Sequence, residues 1–496
     1  MDIPAFIATL LQGGLGNLAA YLAAHVLLCL VPAFFIAGGM VALIPKETVT
    51  RFLGRATPKY ISYPAAALAG SVLAVCSCTI VPIFAGIYKK GAGIGPAITF
   101  LFFAPAANIL ALVYTGGLIG ADLAIARLLL SLAFGIGIGM IMALIFSRED
   151  TVHDQNTDAM FAASGHLRRA GLLFLVVLVA LLLAGTLKIG VLTNSYGHVT
   201  VPIDGMDRFQ AFLDYLVPFD TSKGQEGVSI QGVILIGLLV LIGITAWLGL
   251  ENILDGFNRW TWISLGLVVV TLLVAALKIT PHATGLDIEF PGKIFAGGLS
   301  MLILWFIARY RLTSDDIQGW LNESWFFVKK IFPLLVVGVF AVGIIRQLIQ
   351  PEWIEALAGR NTIPGNLAGV VFGVFMYFPT LVEVPIAKMF LSLGMHRGPL
   401  LAYLMADPEL SLQSILITSA IIGRLRVWVY VGWVGLFSTL SGLIYGAWID
   451  GTSLGLISVY FAAFLMLLAS ALYLINRRNL VKTVVPVATS VRKILD

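Results

Sequence analysis

The stretch Leu101-Phe-Phe-Ala-Pro-Ala-Ala-Asn108 carries a proline inside a long apolar segment, and the stretch Leu404-Met-Ala-Asp-Pro-Glu-Leu-Ser411 carries another, 303 positions later. The same offset superposes residues 64–120 on residues 367–423 without a gap. Seven of the nine Gly or Pro residues in the later window then meet a residue of their own type, which shared hydrophobic composition would rarely produce. The chain therefore contains a duplicated unit. The matched pairs are Gly70 and Gly373, Pro82 and Pro385, Gly91 and Gly394, Gly95 and Gly398, Pro96 and Pro399, Pro105 and Pro408, and Gly120 and Gly423.

The composition places this duplicated unit in a membrane. Of the 496 residues, 59% are hydrophobic and only 11% are charged, and the mean hydropathy is +0.97, which is outside the usual balance of soluble domains. A helix of about 20 apolar residues crosses a hydrocarbon core about 30 Å thick, and runs of that length recur along the chain. We therefore expect an all-α integral membrane protein, built as a polytopic helix bundle.

Several function classes are disfavoured by what the sequence contains. The motif G-x-x-x-x-G-K-[ST] of phosphate-binding loops is missing, so ATP hydrolysis is not expected. The net charge of +5 comes from basic residues scattered over short loops and the tail, so no nucleic-acid partner is expected. The six histidines show no metal-ligand spacing, so we expect no metal and no cofactor. Arg127 lies near a helix end, from which its side chain is expected to reach the membrane interface. The class that remains is a permease, not an enzyme.

The apolar runs and polar intervals predict five regions. We expect an interfacial N-terminal segment, a first permease repeat, a middle region with four transmembrane helices and an acidic loop at 189–229, a second permease repeat, and a final transmembrane helix with a basic cytoplasmic tail. Their bounds are 1–16, 17–146, 147–324, 325–446 and 447–496.

The distribution of Lys and Arg predicts an orientation. If 63–88 and 365–391 are re-entrant hairpins and the other apolar segments span, most basic loops fall on one side and the acidic 189–229 loop on the other, as the positive-inside rule requires. The two repeats are then inverted, with eleven spans and two hairpins. If both hairpin segments cross instead, there are thirteen spans and the repeats are parallel. We favour inverted repeats with broken or re-entrant helices, in a bacterial inner membrane, with the C-terminus in the cytoplasm.

The duplicated prolines predict helix breaks inside the bundle. Proline has no N–H and crowds the carbonyl four residues earlier, so a transmembrane helix loses a hydrogen bond that lipid cannot replace. Matching breaks in two halves are typical of a transporter binding site near the bilayer midplane. The predicted breaks are at Pro82, Pro105, Pro385 and Pro408.

The first break follows the sequence Cys76-Ser77-Cys78. In extended backbone, residues two apart share a face, so both thiols can converge on one ligand there. The alternative is that the two cysteines are small apolar packing residues, as free cysteines often are.

Polar residues near the other breaks complete the candidate site. Tyr377 and Glu383 precede the third break, and a carboxylate at membrane depth is a functional-site hypothesis. Asn108 can donate and accept hydrogen bonds where the backbone opens. Asp407 and Glu409 flank the fourth break, where repulsion and burial would create a proton site. The alternatives are that Glu383 reaches water or pairs with Lys388, and that a water-filled vestibule solvates Asp407 and Glu409.

These motifs resemble the predicted permease family that includes the ArsP-type organoarsenical efflux permeases. The resemblance covers the two repeats and implies export of trivalent organoarsenicals, whose soft arsenic atom binds thiolates. A monomethylated or aryl arsenical has two exchangeable positions, which Cys76 and Cys78 would fill. The residues that carry the resemblance are Cys76-Ser77-Cys78, Pro82, Gly95-Pro96, the run that ends at Asn108, and Glu383-Val384-Pro385.

The leading hypothesis is a secondary, proton-coupled exporter of a small solute. Substrate binding is assigned to Cys76, Ser77, Cys78, Asn108, Tyr377 and Glu383, and proton coupling to Glu383, Asp407 and Glu409. Two other classes stay open at this point: a membrane thiol-disulfide oxidoreductase that uses the Cys-x-Cys pair, and the membrane subunit of a multi-component permease complex. The expected partners are the lipid bilayer and a small solute, and either a homo-oligomer or a partner membrane subunit is compatible with the sequence.

Overall fold

We describe the protein from a computed structural model. It describes residues 3–24, 26–73, 77–160, 168–187, 189–217, 227–282, 285–348, 352–375 and 380–470. Its helices are α1 (Ile3–Ala24), α2 (Val31–Leu43), α3 (Lys46–Leu53), α4 (Lys59–Val72), α5 (Ser77–Lys89), α6 (Ile94–Ala106), α7 (Ile109–Leu118), α8 (Ala121–Ile145), α9 (Ser147–Met160), α10 (Arg169–Thr186), α11 (Gly190–Thr193), α12 (Met206–Leu216), α13 (Ile230–Leu250), α14 (Arg259–Ala276), α15 (Gly292–Arg311), α16 (Ser314–Leu348), α17 (Glu352–Ala358), α18 (Ile363–Phe375), α19 (Thr380–Ser392), α20 (Arg397–Leu410), α21 (Leu412–Ile422), α22 (Arg424–Ile449) and α23 (Leu454–Ser470). The strands are β1 (Ser195–Val201), β2 (Lys278–His282) and β3 (Gly285–Pro291).

The helices form a polytopic membrane bundle. Within the described residues, nine helical segments are long and apolar enough to cross a membrane, or up to eleven if each of two bent helix pairs is one span. Their apolar side chains meet in one large core, and others stay exposed on the outer surface, where lipid would cover them. The predicted all-α, polytopic fold class is confirmed.

The duplication is visible in the helices themselves. The series α4 to α8 and the series α18 to α22 follow the same order, and α6, α7 and α8 begin 303 residues before α20, α21 and α22 respectively. A glycine with a left-handed backbone precedes both α8 and α22, Gly120 with φ +155° and Gly423 with φ +92°. Only glycine adopts that conformation readily, which explains why both copies keep it.

The two copies also pack their helices in the same way. A Cβ added to Gly95 would lie 3.0 Å from the Gly139 carbonyl oxygen, and a Cβ added to Gly398 would lie 2.8 Å from that of Gly442. These pairs join α6 to α8 and α20 to α22 at backbone-to-backbone distance, as small residues do between membrane helices.

The two halves make equivalent contacts with each other, because α5 and α19 are counterparts, as are α7 and α21. α5 packs against α21, and α19 packs against α7. α8 packs against α22, with the Phe134 and Phe437 rings 4.8 Å apart near their middles. The Tyr445 hydroxyl, near the end of α22, donates to Asp122 in the first turn of α8 at 2.7 Å. The start of α8 therefore meets the end of α22.

Two of the four predicted helix breaks are wrong. Pro82 lies inside α5 and Pro385 lies inside α19, and the backbone is helical on both sides of each. A single proline removes one hydrogen bond, and the packed core around these helices tolerates that loss without ending the helix. The second pair differs, because α6 ends at Ala106, one residue after Pro105, and α20 ends two residues after Pro408, where the axis bends by 46° into α21.

The middle of the chain has four apolar helices, α10, α13, α14 and α15, each long enough to span. The acidic segment 189–229, predicted as a loop, instead includes α12 and β1. β1 and β2 both pair antiparallel with β3, so the sheet order is β1-β3-β2. The sequence analysis missed this sheet because two membrane helices separate β1 from its partner β3 in the chain.

The N-terminal segment is also corrected. It was predicted as a separate interfacial piece over residues 1–16, but from residue 3 it is the first part of the 22-residue helix α1. This helix packs along α16, where Gly13 faces Gln347 and Gly14 faces Phe340. The predicted basic tail lies outside the described residues beyond residue 470.

Candidate functional site

An ion pair joins the two halves deep inside the bundle. Arg127 lies on α8, in the first half, and Glu383 lies on α19, in the second half. Nη2 of Arg127 donates to Oε1 of Glu383 at 2.9 Å, and both side chains have an exposed fraction of 0%. Charges with no access to water are expensive in a membrane bundle, and they are retained where they pair with each other and serve a function.

The interruption between α6 and α7 determines what else Arg127 contacts. Nε of Arg127 donates to the carbonyl oxygen of Ala106, the last residue of α6, at 2.7 Å. The carbonyls at a helix C-terminus have no partner within the helix, and a cation there also interacts favourably with the helix dipole. Nη1 donates to the Thr115 hydroxyl on α7 at 3.2 Å. The guanidinium therefore ties α6, α7 and α19 together.

Asn108, predicted to bind substrate, stabilises the interruption between α6 and α7. Its side-chain Oδ1 accepts from the Ala111 backbone N–H at 2.8 Å and thereby caps α7, while its Nδ2 donates to the Pro105 carbonyl at 3.3 Å. Asparagine is among the preferred residues at this position. The geometry assigns both ends of the amide to backbone, so its observed role is to shape the break.

Asp407 and Glu409 are fully or almost fully buried, but they point to different helices. Asp407 lies over Gly373 of α18, whose added Cβ would be 3.3 Å from the Asp407 Cβ. Glu409 points to α22, where the Tyr430 hydroxyl donates to its Oε2 at 2.8 Å. Residues two apart on a helix project in nearly opposite directions. The predicted direct repulsion between the two acids is therefore corrected, since each acid has its own surroundings.

Several buried polar atoms of α19, α20 and α21 have no hydrogen-bond partner among the described residues. They are Oε2 of Glu383, Oε1 of Glu409, the Tyr403 hydroxyl, and both side-chain polar atoms of Gln413. A buried polar atom without a partner is costly, so such groups mark places where water, an ion or a solute completes the contacts.

The same region contains more acids than bases. Within the described residues of α6, α8, α19 and α20, the buried charged side chains are one guanidinium, on Arg127, and three carboxyl groups, on Glu383, Asp407 and Glu409. The undescribed stretches 74–76, 349–351 and 376–379 contain no charged residue in the sequence. Arg346, half-buried at the end of α16, is the next cation and donates to Asn17.

Polar contacts also connect the halves at two levels of α22. Near its end, Tyr445 and Arg397 both bind Asp122, with Arg397 Nη1 2.9 Å from Asp122 Oδ2. Near its start, Arg426 donates to the Tyr88 hydroxyl of α5 at 3.0 Å. The 19 residues from Arg426 to Tyr445 span about 28 Å of helix, close to the thickness of a hydrocarbon core.

Four predicted substrate-binding residues cannot be placed at this junction. Cys76 and Tyr377 lie outside the described residues. Ser77 and Cys78 begin α5, but their side chains lie outside the described part of the structure. Glu383 is the one predicted substrate-binding residue that the described structure brings into contact with a charged partner.

Arg127 is the residue that the sequence analysis missed. It was expected to reach the membrane interface, but it is fully buried. It lies in the second turn of α8, about 9 Å from the helix start, and a flexible side chain at that depth can point either way. A signal was available in the acids of the opposite half, because a buried carboxylate needs a cation and the apolar helices offer few.

Comparison with known proteins identifies the chain. Residues 13–447 match the ArsP_1 predicted permease family. The chain belongs to this family. It is 32% identical over 446 residues to UPF0718 protein MJ0584 of Methanocaldococcus jannaschii, which covers 90% of this chain and 98% of that protein. It is 27% identical over 127 residues to UPF0718 protein YraQ of Escherichia coli K12, which covers 26% of this chain and 35% of that protein. No solved structure matches the chain.

Family membership agrees with the resemblance found in the sequence. A predicted permease with this many apolar helices is a multi-pass membrane protein in a lipid bilayer, with a small molecule as the class of substrate. It also favours transport over catalysis as the activity of this chain.

Proposed function

We propose that the chain is a secondary transporter that moves a small solute through the junction of its two halves, with Arg127 and Glu383 at the centre. The fully buried ion pair between them carries the proposal. A charge pair that only stabilised the fold would be a poor choice, because apolar side chains of similar volume often do as well. The pair lies at the boundary between two similar halves. A solute or an ion that binds there can replace one partner of this polar contact while the halves move.

The mechanism we propose is alternating access between inverted repeats. Inverted halves rock against each other around a site at mid-membrane, which opens to one side at a time. The start of α8 lies against the end of α22, its counterpart in the other half, and this arrangement supports inversion over parallel repeats. Under this proposal, Asp122 with Arg397 closes one end of the path and Tyr88 with Arg426 closes the other.

Export driven by protons across a bacterial inner membrane, with a cytoplasmic C-terminus, completes the proposal. The buried carboxyl group of Glu409, which accepts a hydrogen bond from the neutral Tyr430 hydroxyl, supports proton coupling, since a proton can neutralise a buried acid. Trivalent organoarsenicals held by Cys76 and Cys78 are the proposed cargo. Support for this cargo comes from the Cys-Ser-Cys motif and the thiol affinity of trivalent arsenic.

The test is transport into inside-out vesicles or proteoliposomes with an imposed pH gradient, with methylarsenite as the probe. We expect uptake that collapses when a protonophore dissipates the gradient and that falls at least tenfold in Arg127→Met. Glu289→Gln, which changes an exposed carboxylate paired with Lys278 on the sheet, is the matched control and should transport normally. Uptake that ignores the pH gradient would refute proton coupling.

The cargo is tested separately by Cys76→Ser and Cys78→Ser. If the thiols bind arsenic, both variants lose methylarsenite uptake, and cells that express them lose resistance to it. Equal uptake by the variants and the unaltered chain would remove the thiols from the mechanism and leave the solute to be found among other small molecules.

A further inference from the structure

The two halves place different chemistry at the same position. Under the offset of 303, Tyr430 on α22 corresponds to Arg127 on α8, and Glu409 at the end of α20 corresponds to Ala106 at the end of α6. The contacts correspond as well. Arg127 Nε donates to the Ala106 carbonyl oxygen at 2.7 Å, and the Tyr430 hydroxyl donates to the Glu409 carboxylate at 2.8 Å.

This difference changes the charge of the two contacts. In the first half, the permanently charged guanidinium of Arg127 binds a neutral backbone carbonyl. Its positive charge is not neutralised by that contact and is neutralised instead by Glu383 of the other half. In the second half, a neutral phenol binds an acid, and a phenol supplies no charge. Glu409 is 5% exposed, and its Oε1 has no partner among the described residues.

Among the described residues, no cation contacts Glu409. α20 packs against α6, α8, α18, α19, α21 and α22. The described sequences of α6, α18 and α21 contain no titratable side chain. α19 contributes Glu383, already paired, and Lys388, which is exposed; α8 contributes Arg127, already paired, and Asp122, bound at the end of the helix. α22 contributes Tyr430 itself, Tyr445 bound to Asp122, and Arg424 and Arg426 near its start, of which Arg426 donates to Tyr88. On α20 itself, the neighbours are Arg397, Tyr403 and Asp407.

We infer that Glu409, held by Tyr430, is the group that carries the coupling proton, and that Arg127 and Glu383 stay charged as a pair. The inference names the proton-binding group of the proposed transporter, and the coupling role of that group rests on the proposed function. A lone carboxylate in an interior of low polarity is relieved most simply by a proton. The proton binds a Glu409 oxygen from the water on one side and leaves that oxygen to the water on the other, so the carboxyl group is regenerated in each cycle.

The geometry favours a proton over a metal ion as the positive charge. Hard cations are held by six or more oxygen atoms or by two carboxylates with bound water. Among the described residues, no group of three or more His, Cys, Asp or Glu side chains could hold an ion. Glu409 has one hydroxyl at contact distance, which is enough for a shared proton.

Infrared spectroscopy tests the inference without any solute. The purified full chain in lipid vesicles is titrated with acid and base, and the carbonyl stretching band of a protonated carboxylic acid is followed. We expect such a band at neutral pH in the unaltered chain and its loss in Glu409→Gln. Gln keeps the shape of the side chain and an oxygen for Tyr430, so this variant should fold, which a thermal melt verifies.

Three further variants make the result decisive. Glu289→Gln, on the exposed sheet, should keep the band. The double variant Arg127→Met with Glu383→Gln removes the ion pair as a neutral unit and should also keep it. Tyr430→Phe removes the hydrogen bond that favours the charged carboxylate, so its band should persist to higher pH than that of the unaltered chain.

Each contrary outcome has a defined meaning. Retention of the band in Glu409→Gln would overturn the inference, and it would assign the proton to Glu383 if the double variant loses the band and to Asp407 if the double variant keeps it. A chain without the band that gains thermal stability from NaCl, compared with choline chloride, would overturn it in favour of an inorganic cation. If the band behaves as expected and vesicles transport nothing, the proposed function fails while Glu409 remains a proton-binding group.

Discussion

The buried pair of Arg127 and Glu383 should behave as a unit whose members can be removed together but not separately. Removing one partner of a buried pair typically costs about 3–5 kcal/mol, because the other charge is left without compensation, whereas replacing both by neutral groups is often close to neutral. Both side chains are fully enclosed here, so solvent screening does not reduce this cost. We therefore expect Arg127→Met and Glu383→Gln each to lower the free energy of unfolding by about 3–5 kcal/mol.

The two single variants should not be equal. After Arg127→Met, the Glu383 carboxylate can be neutralised by a proton, although the Ala106 carbonyl loses its donor. After Glu383→Gln, the guanidinium stays charged because arginine does not lose its proton in proteins. Glu383→Gln should therefore be the more destabilising substitution, and acid should rescue Arg127→Met in part.

The assay is unfolding of the purified chain in mixed detergent micelles with increasing SDS, for both single variants and the double variant. The double variant should lie within about 1–2 kcal/mol of the unaltered chain, which gives an interaction energy of several kcal/mol in the double-mutant cycle. Additive effects of the two substitutions would show that the side chains do not form the pair, and would remove the centre of the proposed site.

Other predictions concern the repeat, one end of the junction and a loop. Gly442→Ala should destabilise the fold by about 1–3 kcal/mol, because its Cβ would meet a side-chain oxygen and a backbone carbonyl, whereas Gly432→Ala, with nothing within 4 Å of the added Cβ, should change the SDS midpoint little. Asp122→Asn breaks the half-exposed pair of Asp122 and Arg397 and should change the free energy of unfolding by less than about 1 kcal/mol. It should nevertheless increase the labelling of an interior cysteine by an impermeant thiol reagent added on one side of the membrane. Exchanging the two charges should restore the original labelling. Burial lowers the pKa of Lys90 from 10.5 to about 8 in the folded chain. Between these two pH values the unfolded chain binds more protons than the folded chain, so the free energy of unfolding should rise with pH across that window. Lys90→Met should flatten that rise in thermal melts.

The parts of the fold that sequence predicts are those set by backbone chemistry. Glycine and proline positions at a constant offset identified the duplication, because close helix contacts such as Gly398 against Gly442 tolerate no larger residue. The apolar runs predicted the membrane bundle, because a helix in lipid needs about 20 apolar residues. These signals are local or repeated, so a single sequence is enough to find them.

The parts that sequence does not predict depend on which side chains meet. Nothing in the second turn of α8 indicates whether Arg127 faces lipid headgroups or the core, since that depends on α19, 256 residues later. The sheet is equally hidden, because β1 and β3 meet only after α13 and α14 have crossed between them. The predicted helix breaks at Pro82 and Pro385 were wrong because the effect of a lost hydrogen bond depends on the packing around it, which sequence does not show.

The asymmetry between the halves follows from electrostatics. If the second half kept the residues of the first, two guanidinium groups would face each other without an acid, since Glu383 corresponds to Ile80 and Glu409 to Ala106. If the first half had the residues of the second, acids would face acids, since Tyr430 would replace Arg127. Either symmetric junction leaves several buried charges of one sign, which an interior of low polarity does not tolerate. The chain has a single buried pair of this kind because the copies have diverged, with Tyr430 opposite Arg127 and Ile80 opposite Glu383 in the alignment of the two repeats. Positions at which matching residues differ in charge are therefore the first place to look for the solute path in such a chain, ahead of the positions at which the copies agree.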